Sequence, residues 1–387
     1  MPEADLKTDV LVVGAGPVGM TLALALAGGG HRVLLLDRRP RSACASSACA
    51  SDPRALALSH GSRQLLERLE AWNARAATAI RQIHVSQRGG FGRTLIDADD
   101  YDTPALGYVM RYSDLADELD ARLGSDQILA PCTVDTIETD GDEAVVTVTN
   151  EGRSRRINAR LVVHAEGTPD NEADVKVRDY RQHAVVAEVS TTTGHQLRAW
   201  ERFTPDGPLA LLPLDDGYSI VFTVPPEKAE RLLAMDDAAF LAALRAQFGR
   251  RLEFTACRAR ASFPLALRVR SPLVSRRQVW IGNAAQSLHP VSGQGFNLGL
   301  RDACELAEIL HRHSDAGDPA ALASYARGRG IDRRGSIAFT DGIVRLFSND
   351  IAPLCLARGL GLLALDLAPP LRHFVARRMI WGARAWL

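Results

Sequence analysis

A glycine-rich turn near the beginning of the sequence has the spacing of a nucleotide-binding loop. Residues 14–19 read GAGPVG, which is G-x-G-x-x-G between an apolar run at residues 9–13 and a small, apolar, helical segment. In such a loop the first glycine permits a tight turn, the second lets the backbone approach a pyrophosphate, and the third lets the helix pack on the strand. The helix N-terminus adds free N–H groups and partial positive charge for the phosphates.

An acidic residue ends the second apolar run, residues 31–37. Asp37 stands at about the distance, roughly 20 residues, at which these folds place an acid that hydrogen-bonds a ribose hydroxyl. By itself this pattern does not distinguish NAD from FAD. The candidate nucleotide contacts in this part of the chain are Gly14, Ala15, Gly16, Pro17, Gly19, Asp37 and Arg38.

A second glycine-rich stretch, GNAAQSLHPVSGQGFNLG at residues 282–299, distinguishes the two cofactors through a resemblance. It resembles the second flavin motif of the para-hydroxybenzoate-hydroxylase-type flavin monooxygenases, usually written G-D-A-A-H-x-x-x-P-x-x-G-Q-G. In that interpretation the polar residue at 283 reaches the ribityl or pyrophosphate region, and N–H groups at the start of the next helix could stabilise negative charge on a reduced flavin ring. The candidates added here are Gly282, Asn283, Pro290, Gly293, Gln294, Gly295 and Asn297. Those expected at the reacting edge are Pro290, Gly293, Gln294 and Gly295.

The variant with Asn283 and the ending HPxxGQGFNLG is similar in particular to the ubiquinone-biosynthesis hydroxylases of the 2-polyprenyl-6-methoxyphenol hydroxylase type. The resemblance extends over nearly the whole chain, with further similar segments at residues 52–59, 201–214 and 345–362. It implies that Arg54 lies near the cofactor phosphates and that Arg111 lies on the flavin side.

One position departs from the family pattern. The family has a strand followed by A-D-G, with the Asp shared between flavin and pyridine nucleotide, whereas this chain reads Ala165-Glu166-Gly167. Glu166 keeps the charge and the acceptor oxygens but is one methylene longer, so FAD placement or nicotinamide use could differ. Glu166 and Gly167 remain cofactor-binding candidates, and a non-catalytic subunit of a quinone-biosynthesis complex stays open as an alternative.

The resemblance implies an FAD-dependent aromatic-ring monooxygenase. NAD(P)H would reduce FAD, O2 would form a flavin C4a-hydroperoxide, and its distal oxygen would pass to a hydrophobic phenol, a polyprenyl phenol of ubiquinone biosynthesis. The cofactor supplies this chemistry, and the protein must position it and exclude water. No Asp/His pair identifies itself as the base that favours the phenolate, and neither Tyr218 nor His195 in the strand-rich region stands out. A hydroxylase of a small soluble aromatic, or a flavin reductase, is the alternative.

The elements that must position these motifs predict an α/β fold. Residues 9–13 and 31–37 are apolar strands around a helix, and a right-handed crossover makes them parallel neighbours. The predicted fold class is a discontinuous Rossmann-like FAD-binding domain with a β-sheet substrate domain and a helical C-terminal region. The expected boundaries are 1–75, 100–177 and 271–320 for the FAD-binding domain, 76–99 and 178–270 for the substrate-binding domain, and 321–387 for the helical region.

Composition narrows the class of protein further. The formal net charge of +0 gives no steering toward nucleic acid, and no His or Cys spacing predicts a metal site. Six scattered cysteines, behind a first apolar run too short for a signal sequence, predict a cytoplasmic chain with reduced thiols. The apolar residues 351–370 and the basic, Trp-containing residues 372–387 leave a prenyl-tail tunnel, peripheral membrane association and ordinary packing open. Association with a biosynthetic complex and homo-oligomerisation stay open as well.

Overall fold

Two large sheets organise the chain. The computed structural model describes residues 5–41, 53–169, 172–347 and 352–382, and in those ranges it contains two sheets of eight strands and one of three. The strands, in chain order, are β1 (Leu6–Val13), β2 (Val33–Leu36), β3 (Ala55–Ser59), β4 (Thr78–Ile80), β5 (Gln82–Gln87), β6 (Arg93–Asp97), β7 (Gly107–Arg111), β8 (Ile128–Leu129), β9 (Cys132–Asp140), β10 (Glu143–Asn150), β11 (Arg153–His164), β12 (Val175–Thr191), β13 (Arg198–Thr204), β14 (Gly207–Leu214), β15 (Gly217–Val224), β16 (Phe254–Arg270), β17 (Val274–Ser275), β18 (Gln278–Trp280) and β19 (Gln286–Ser287). The α-helices are α1 (Pro17–Leu26), α2 (His60–Arg68), α3 (Tyr112–Asp120), α4 (Pro226–Ala234), α5 (Asp237–Phe248), α6 (Gln294–Leu310), α7 (Pro319–Phe347), α8 (Ala352–Leu367) and α9 (Pro369–Trp381).

The first sheet carries both glycine-rich turns. Its strand order is β17-β18-β11-β1-β2-β8, and β10 and β9 extend it from β11. β1 runs parallel to β2, with Val10 opposite Val33, and parallel to β11, with Val10 opposite Leu161. Strands buried on both faces favour continuous apolar sequences, which accounts for the composition of β1. The predicted parallel pairing of β1 and β2 is confirmed.

Each face of this sheet has its own apolar core because successive residues of a strand point to opposite faces. Val10 and Val12 pack in a core with buried residues of α1, α3 and α6. Leu11 and Val162 pack in a second core under the antiparallel β9–β10 pair. Burial of apolar surface on both faces, worth roughly 25 cal/mol per Å2, fixes the position of the turn that follows β1.

Five strands of the second sheet, β12 to β16, lie in the chain between β11 and β17, whereas β5 and β6 precede β11 and β19 follows β18. Its order is β19-β16-β12-β15-β14-β13-β5-β6, and its neighbours are antiparallel except for the parallel pair β13 and β5. Leu211 and Ile220 lie on its outer face in a core with Phe240 and Leu244 of α5. The alternate residues of the same strands lie on the inner face. The helical insert predicted at 226–248 is two helices, because Asp236 caps the second by accepting the Ala239 N–H.

The third sheet, in the order β3-β7-β4, and the last three helices complete the described structure. No helix in the described ranges is both long enough and apolar enough to cross a membrane. The predicted fold class is confirmed, and the predicted domain boundaries stay a proposal. The assignment of β5 and β6 to the second sheet supports that division of the chain.

A buried ion network ties the second glycine-rich motif to α6 and α7. The Asp302 carboxylate accepts the Gly282 N–H at 3.0 Å and the Gln286 amide at 2.8 Å through Oδ2, and the Arg329 Nε–H at 2.6 Å through Oδ1. Arg329 is fully buried and also donates to Glu305 at 2.6 Å. A buried charge of this kind is stable only when it is paired and hydrogen-bonded.

Removing the charge of Asp302 is expected to destabilise the fold. The substitution Asp302→Asn takes away a partner of buried Arg329 and is expected to lower the free energy of unfolding by about 3 kcal/mol, as measured by urea denaturation. The matched control is Asp99→Asn, which breaks the exposed Arg81–Asp99 pair and is expected to cost less than about 1 kcal/mol. Equal losses in the two variants would show that the network does not support the fold.

Candidate active site

The turn after β1 exposes its backbone to a cleft because Gly14 and Gly16 carry no side chains. Gly14 has a φ of +105°, and a Cβ placed there would lie 2.5 Å from the Ala165 carbonyl oxygen. α1 begins at Pro17 with Gly16 at its N-cap, so no capping side chain covers the first free N–H groups. The segment after β11 therefore packs directly on the first motif.

Asp37 braces this turn rather than standing apart from it. Its Oδ2 accepts the Ala15 N–H at 3.0 Å, and its Oδ1 accepts the Arg39 N–H at 2.8 Å. Oδ1 also accepts from the Arg39 Nε–H at 3.4 Å, so of the roughly four acceptor positions of a carboxylate about one, on Oδ2, remains for a ligand hydroxyl. Ala15, Asp37 and Arg39 line a small cavity of about 320 Å3, whereas Arg38 is exposed and lies outside that lining.

A larger open cleft of about 1360 Å3 joins the two motifs. The predicted site residues that it brings together are Gly16, Pro17, Arg54, Gly167, Gly282, Asn283, Pro290, Gly293 and Gly295. Gly14 and Gly19 stand behind it, where they permit close packing, since a Cβ at Gly19 would lie 2.1 Å from the Gly14 carbonyl oxygen. The Arg54 guanidinium lies 4.5 Å from the centre of the Tyr112 ring and contributes a positive charge to the cleft.

Two other predicted cofactor residues have protein partners. The Arg111 guanidinium donates to both carboxylate oxygens of Glu188 at 2.9 Å and to Asp215 at 2.7 Å, outside the lining of the cleft. Glu188 belongs to β12 and Asp215 follows β14, so this side chain links β7 of the three-stranded sheet to the second sheet. Glu166 lies 3.1 Å from His164 Nδ1, and its neighbour Gly167 lines the cleft in its place.

The side-chain amide of Asn297 uses all four of its hydrogen-bonding positions and joins β3 to the turn before α6. Its Oδ1 accepts from the Ser59 N–H at 2.8 Å and the Ser62 hydroxyl at 2.7 Å, and its Nδ2 donates to the carbonyls of Ala57 at 2.8 Å and Gly293 at 2.7 Å. These hydrogen bonds fix β3 against the turn that precedes α6. Gly293 in that turn has a φ of +62°, and a Cβ there would lie 2.9 Å from the Ala57 Cβ.

His289 holds the other side of the same turn. The ring is 1% exposed, and burial lowers its pKa to about 3, so it is neutral. Its Nδ1 accepts the Val291 N–H at 3.1 Å, which leaves the ring proton on Nε2. The buried Nε2 atom has no hydrogen-bond partner among the described residues, and His289 lines the cleft. Its Nε2–H is therefore a buried donor at the wall of the cleft without a partner among the described residues.

A second, apolar cavity of about 830 Å3 lies beside the cleft. The two share a wall of five residues, namely Ala57, Leu212, Val221, Pro290 and Gly293. The inner face of the second sheet, Ile83 of β5, and Ala376 and Ile380 of α9 form much of the remainder. Gln294 and Asn297 face this cavity, so the predicted reacting edge borders both spaces.

Comparison with known proteins identifies the family. A family model described as an FAD binding domain matches residues 7–331. This chain belongs to that FAD-binding family. It is 35% identical over 390 residues to the ubiquinone hydroxylase UbiL of Rhodospirillum rubrum, an alignment that covers 97% of this chain and 90% of that protein. It is 29% identical over 382 residues to the 3-demethoxyubiquinol 3-hydroxylase of Escherichia coli K12, covering 95% of this chain and 96% of the relative.

The fold is also that of solved monooxygenases. The p-nitrophenol 4-monooxygenase PnpA of Pseudomonas putida DLL-E4 superposes with a TM-score of 0.77 at 17% identity, over 98% of this chain and all of that one. At this identity the likeness shows the fold. Together with the family match, the protein is an FAD-dependent monooxygenase, with FAD as cofactor and NAD(P)H as co-substrate.

The residues of the cleft fit FAD. The bare turn at Gly14 and the uncapped start of α1 suit a pyrophosphate, and Asp37 in the small cavity suits a ribose. The part of the cleft lined by His289, Pro290 and Gly293, at the start of α6, suits the flavin ring. Among the described residues no group of three or more His, Cys, Asp or Glu side chains is arranged to hold a metal ion.

Sequence reasoning missed three residues that matter here. Asp302 lies three positions beyond the quoted motif, and its role depends on Arg329 in a different helix. His289 is part of the ending HPxxGQGFNLG, but the sequence gives no sign that its ring is buried and hydrogen-bonded to the Val291 N–H. Glu201 begins the similar segment at residues 201–214, but its strand reads RAWERFT, so an acid between arginines gives no sequence signal of a buried carboxyl group.

Adding a side chain at Gly14 is expected to abolish FAD binding. Gly14→Ala places a methyl group 2.5 Å from the Ala165 carbonyl oxygen, so either the turn or the segment after β11 must shift. We expect the purified variant to retain less than about a tenth of the wild-type flavin, measured from the visible spectrum after release of the chromophore, because a shift of ~1 Å disrupts the close backbone approach. The matched control is Gly28→Ala, which has a φ of +78° but open space around it. Loss of flavin in both variants would show that the cause is backbone strain at a glycine with positive φ, and not the contact with the Ala165 carbonyl.

Proposed function

We propose that this monooxygenase hydroxylates the aromatic ring of a polyprenyl phenol in ubiquinone biosynthesis, with NAD(P)H as reductant and O2 as oxidant. The observation that carries the proposal is the apolar cavity that shares a wall with the cofactor cleft at Pro290 and Gly293. A ring held there would face the flavin side of that wall. The relatives at 35% and 29% identity are named for ubiquinone and demethoxyubiquinol hydroxylation, which supports the same substrate class.

The protein's part in this reaction is positioning and protection from water. FAD, when bound, supplies the transfer of electrons from NAD(P)H to O2 and the delivery of one oxygen atom to the ring. The N-terminus of α6, opened by Gly293, presents backbone N–H groups and partial positive charge near the part of the cleft lined by His289 and Pro290. The apolar walls of the adjoining cavity keep water from the reacting ring.

The shape of the cavity suits a hydrophobic substrate. Its described lining on the side of the second sheet is aliphatic except for Trp200 and Glu201, and on α9 it consists of Ala376, Met379 and Ile380. Residues 351–370, for which the sequence leaves a tunnel, a surface patch and core packing open, are not in the described lining of this cavity. A phenol with an isoprenoid chain could bury apolar surface along both walls, at roughly 25 cal/mol per Å2.

A direct assay tests the proposed function. The purified protein should show the visible spectrum of oxidised flavin and release FAD on denaturation. With NAD(P)H and air it should convert a short-chain polyprenyl phenol to a product one oxygen atom heavier, identified by mass spectrometry. Hydroxylation of small soluble phenols alone would assign the protein to small-aromatic hydroxylation. NAD(P)H oxidation without oxygen insertion would indicate a reductase, and a colourless protein that FAD does not reconstitute would indicate a non-catalytic subunit.

We propose further that α8 and α9 contact a lipid bilayer surface, where a polyprenyl substrate resides. Large apolar side chains exposed along these helices recur at the spacing of one helix face. They are Leu356, Leu360, Leu363, Leu367, Leu371 and Phe374, with exposed fractions of 38–72%. Arg377 is exposed one turn after Phe374, which complements an anionic headgroup layer. Trp386 lies outside the described residues.

Vesicle binding tests the bilayer contact. The double variant Leu360→Ser/Leu367→Ser should lose at least about tenfold in binding to vesicles of phosphatidylglycerol and phosphatidylcholine, measured by co-sedimentation, because two well-exposed apolar side chains no longer enter the interface. The matched control is Leu233→Ser on α4, where the leucine is 38% exposed. Unchanged vesicle binding, or a dimer in light scattering that the double variant disrupts, would assign the leucines to contact between copies of the chain.

A further inference from the structure

Glu201 is an acid on an apolar face of the second sheet. It lies on β13 with Val85 of β5 and Ala210 of β14 as its cross-strand partners. Phe203, two positions along the same face, packs against Phe347 of α7 with ring centroids 3.8 Å apart. Neither the strand register nor the packing around it provides a structural reason for a carboxylate.

The carboxyl group lacks a partner. Its Oε1 atom is buried and forms no hydrogen bond with the described residues. Glu201 is also the one ionisable side chain in the described lining of the apolar cavity. Burial alone raises its pKa to about 7, since no neighbouring charge contributes to the shift. Leaving a buried polar group unpaired costs free energy, so such a group in a cavity is a candidate for ligand contact.

Two other polar side chains of the cavity, Asn297 and Ser59, are already engaged, and Gln294 donates from Nε2 to the Met379 carbonyl at 3.5 Å. All four amide positions of Asn297 are used by Ser59, Ser62, Ala57 and Gly293. The Ser59 hydroxyl accepts the Ser62 N–H at 3.1 Å and donates to the Ser62 hydroxyl at 3.1 Å. Glu201 therefore has hydrogen-bonding capacity that Asn297 and Ser59 lack. Because Pro290 and Gly293 border the same cavity, a ligand bound to Glu201 also lies beside the cofactor cleft.

We propose that the Glu201 carboxylate accepts a hydrogen bond from the phenol hydroxyl of the substrate and then takes its proton, which makes Glu201 a catalytic residue of the hydroxylation. This inference rests on the proposed function. The phenol O–H bond breaks, an O–H bond forms on a Glu201 oxygen, and the negative charge moves to the ring oxygen. The oxygen atom added to the ring comes from O2, with electrons from NAD(P)H. When the oxygenated carbon releases its hydrogen as a proton to solvent, the original ring oxygen takes a proton from Glu201 and the carboxylate is restored.

The chemistry of the cavity suits this transfer. A phenol has a pKa of about 10, so a carboxyl group near 7 is a better match than an exposed Glu near 4.3. Removing the proton raises the electron density of the ring, which favours attack on an electrophilic oxygen. The dry, apolar surroundings that raise the pKa of Glu201 also keep water from competing for the phenol.

The isosteric variant Glu201→Gln separates proton acceptance from packing. It should retain FAD and flavin reduction by NAD(P)H, while the hydroxylation kcat falls by about 10²–10⁴-fold. The wild-type kcat should rise with pH through about 7, and the variant should lack that rise. Glu201→Asp should keep the pH-dependent rise at a reduced rate, and serves as the test if the Gln variant does not fold. The matched control, Glu230→Gln on the exposed side of α4, should behave as wild type.

Thermal unfolding tests the state of the carboxyl group without catalysis. Because the pKa of Glu201 is raised in the folded protein, its contribution to stability is present below the unfolded pKa, near 4.5, and is lost as the pH rises through about 7. The Tm of wild type should therefore fall relative to that of Glu201→Gln across this window. An unchanged difference in Tm between pH 5 and 8 would overturn the buried, unpartnered carboxyl on which the inference depends.

The outcomes separate this inference from the proposed function. If wild type hydroxylates a polyprenyl phenol and Glu201→Gln does so with the same kcat and the same pH profile, the role of Glu201 is wrong and the proposed function stands. If FAD-loaded wild type hydroxylates no phenol, both are wrong. Hydroxylation by wild type together with a slow variant that has lost the pH-dependent limb supports both.

Discussion

The cofactor cleft depends on one carboxylate, that of Asp302. It binds the backbone N–H of Gly282 on one side and buried Arg329 on the other, so the position of the second glycine-rich motif is coupled to the packing of α6 on α7. Gln286, between them, donates to the same carboxylate and accepts from Arg333 at 2.7 Å. A glycine-rich segment gains no rigidity from its own side chains, so the rigidity must come from such contacts.

Two further sets of polar contacts connect the cofactor cleft to the second sheet and the apolar cavity. Asn297 fixes the turn at Gly293 to β3, and Arg111 joins the end of β7 to Glu188 of the second sheet. Ala57 and Gly293, which Asn297 joins, both belong to the wall shared by cleft and cavity. The cofactor and substrate sides are therefore connected by hydrogen bonds to backbone carbonyls and by the ion pairs of Arg111 with Glu188 and Asp215.

The parts of the site that the sequence predicts well are those determined by local backbone geometry. The turn at residues 14–19, the parallel pairing of β1 with β2, and the helix that follows Gly293 each depend on residues close together in the chain. The roles of Arg111 and Asn297 do not, because their partners lie far away in sequence and an arginine or an asparagine is equally suited to a phosphate, a carboxylate or a backbone carbonyl. The role proposed for Glu201 could not be predicted from the sequence either, because it depends on the absence of a hydrogen-bond partner for its buried Oε1 atom among the described residues.

The order of strands in the first sheet has a consequence for how this protein folds. β11 pairs with β1 on one side, with β10 along residues 153–159, and with β18 along residues 162–164, yet five strands of the second sheet, β12 to β16, separate β11 from β18 in the chain. Until β18 forms, the apolar end of β11 at residues 162–164 lacks this neighbour, and an unpaired strand edge is the kind of surface that pairs with other chains. The long chain segment between β11 and β18 must fold before these two strands can pair, so the nucleotide-binding sheet is completed late. The protein is therefore expected to fold slowly and to benefit from chaperones while β11 is incompletely paired.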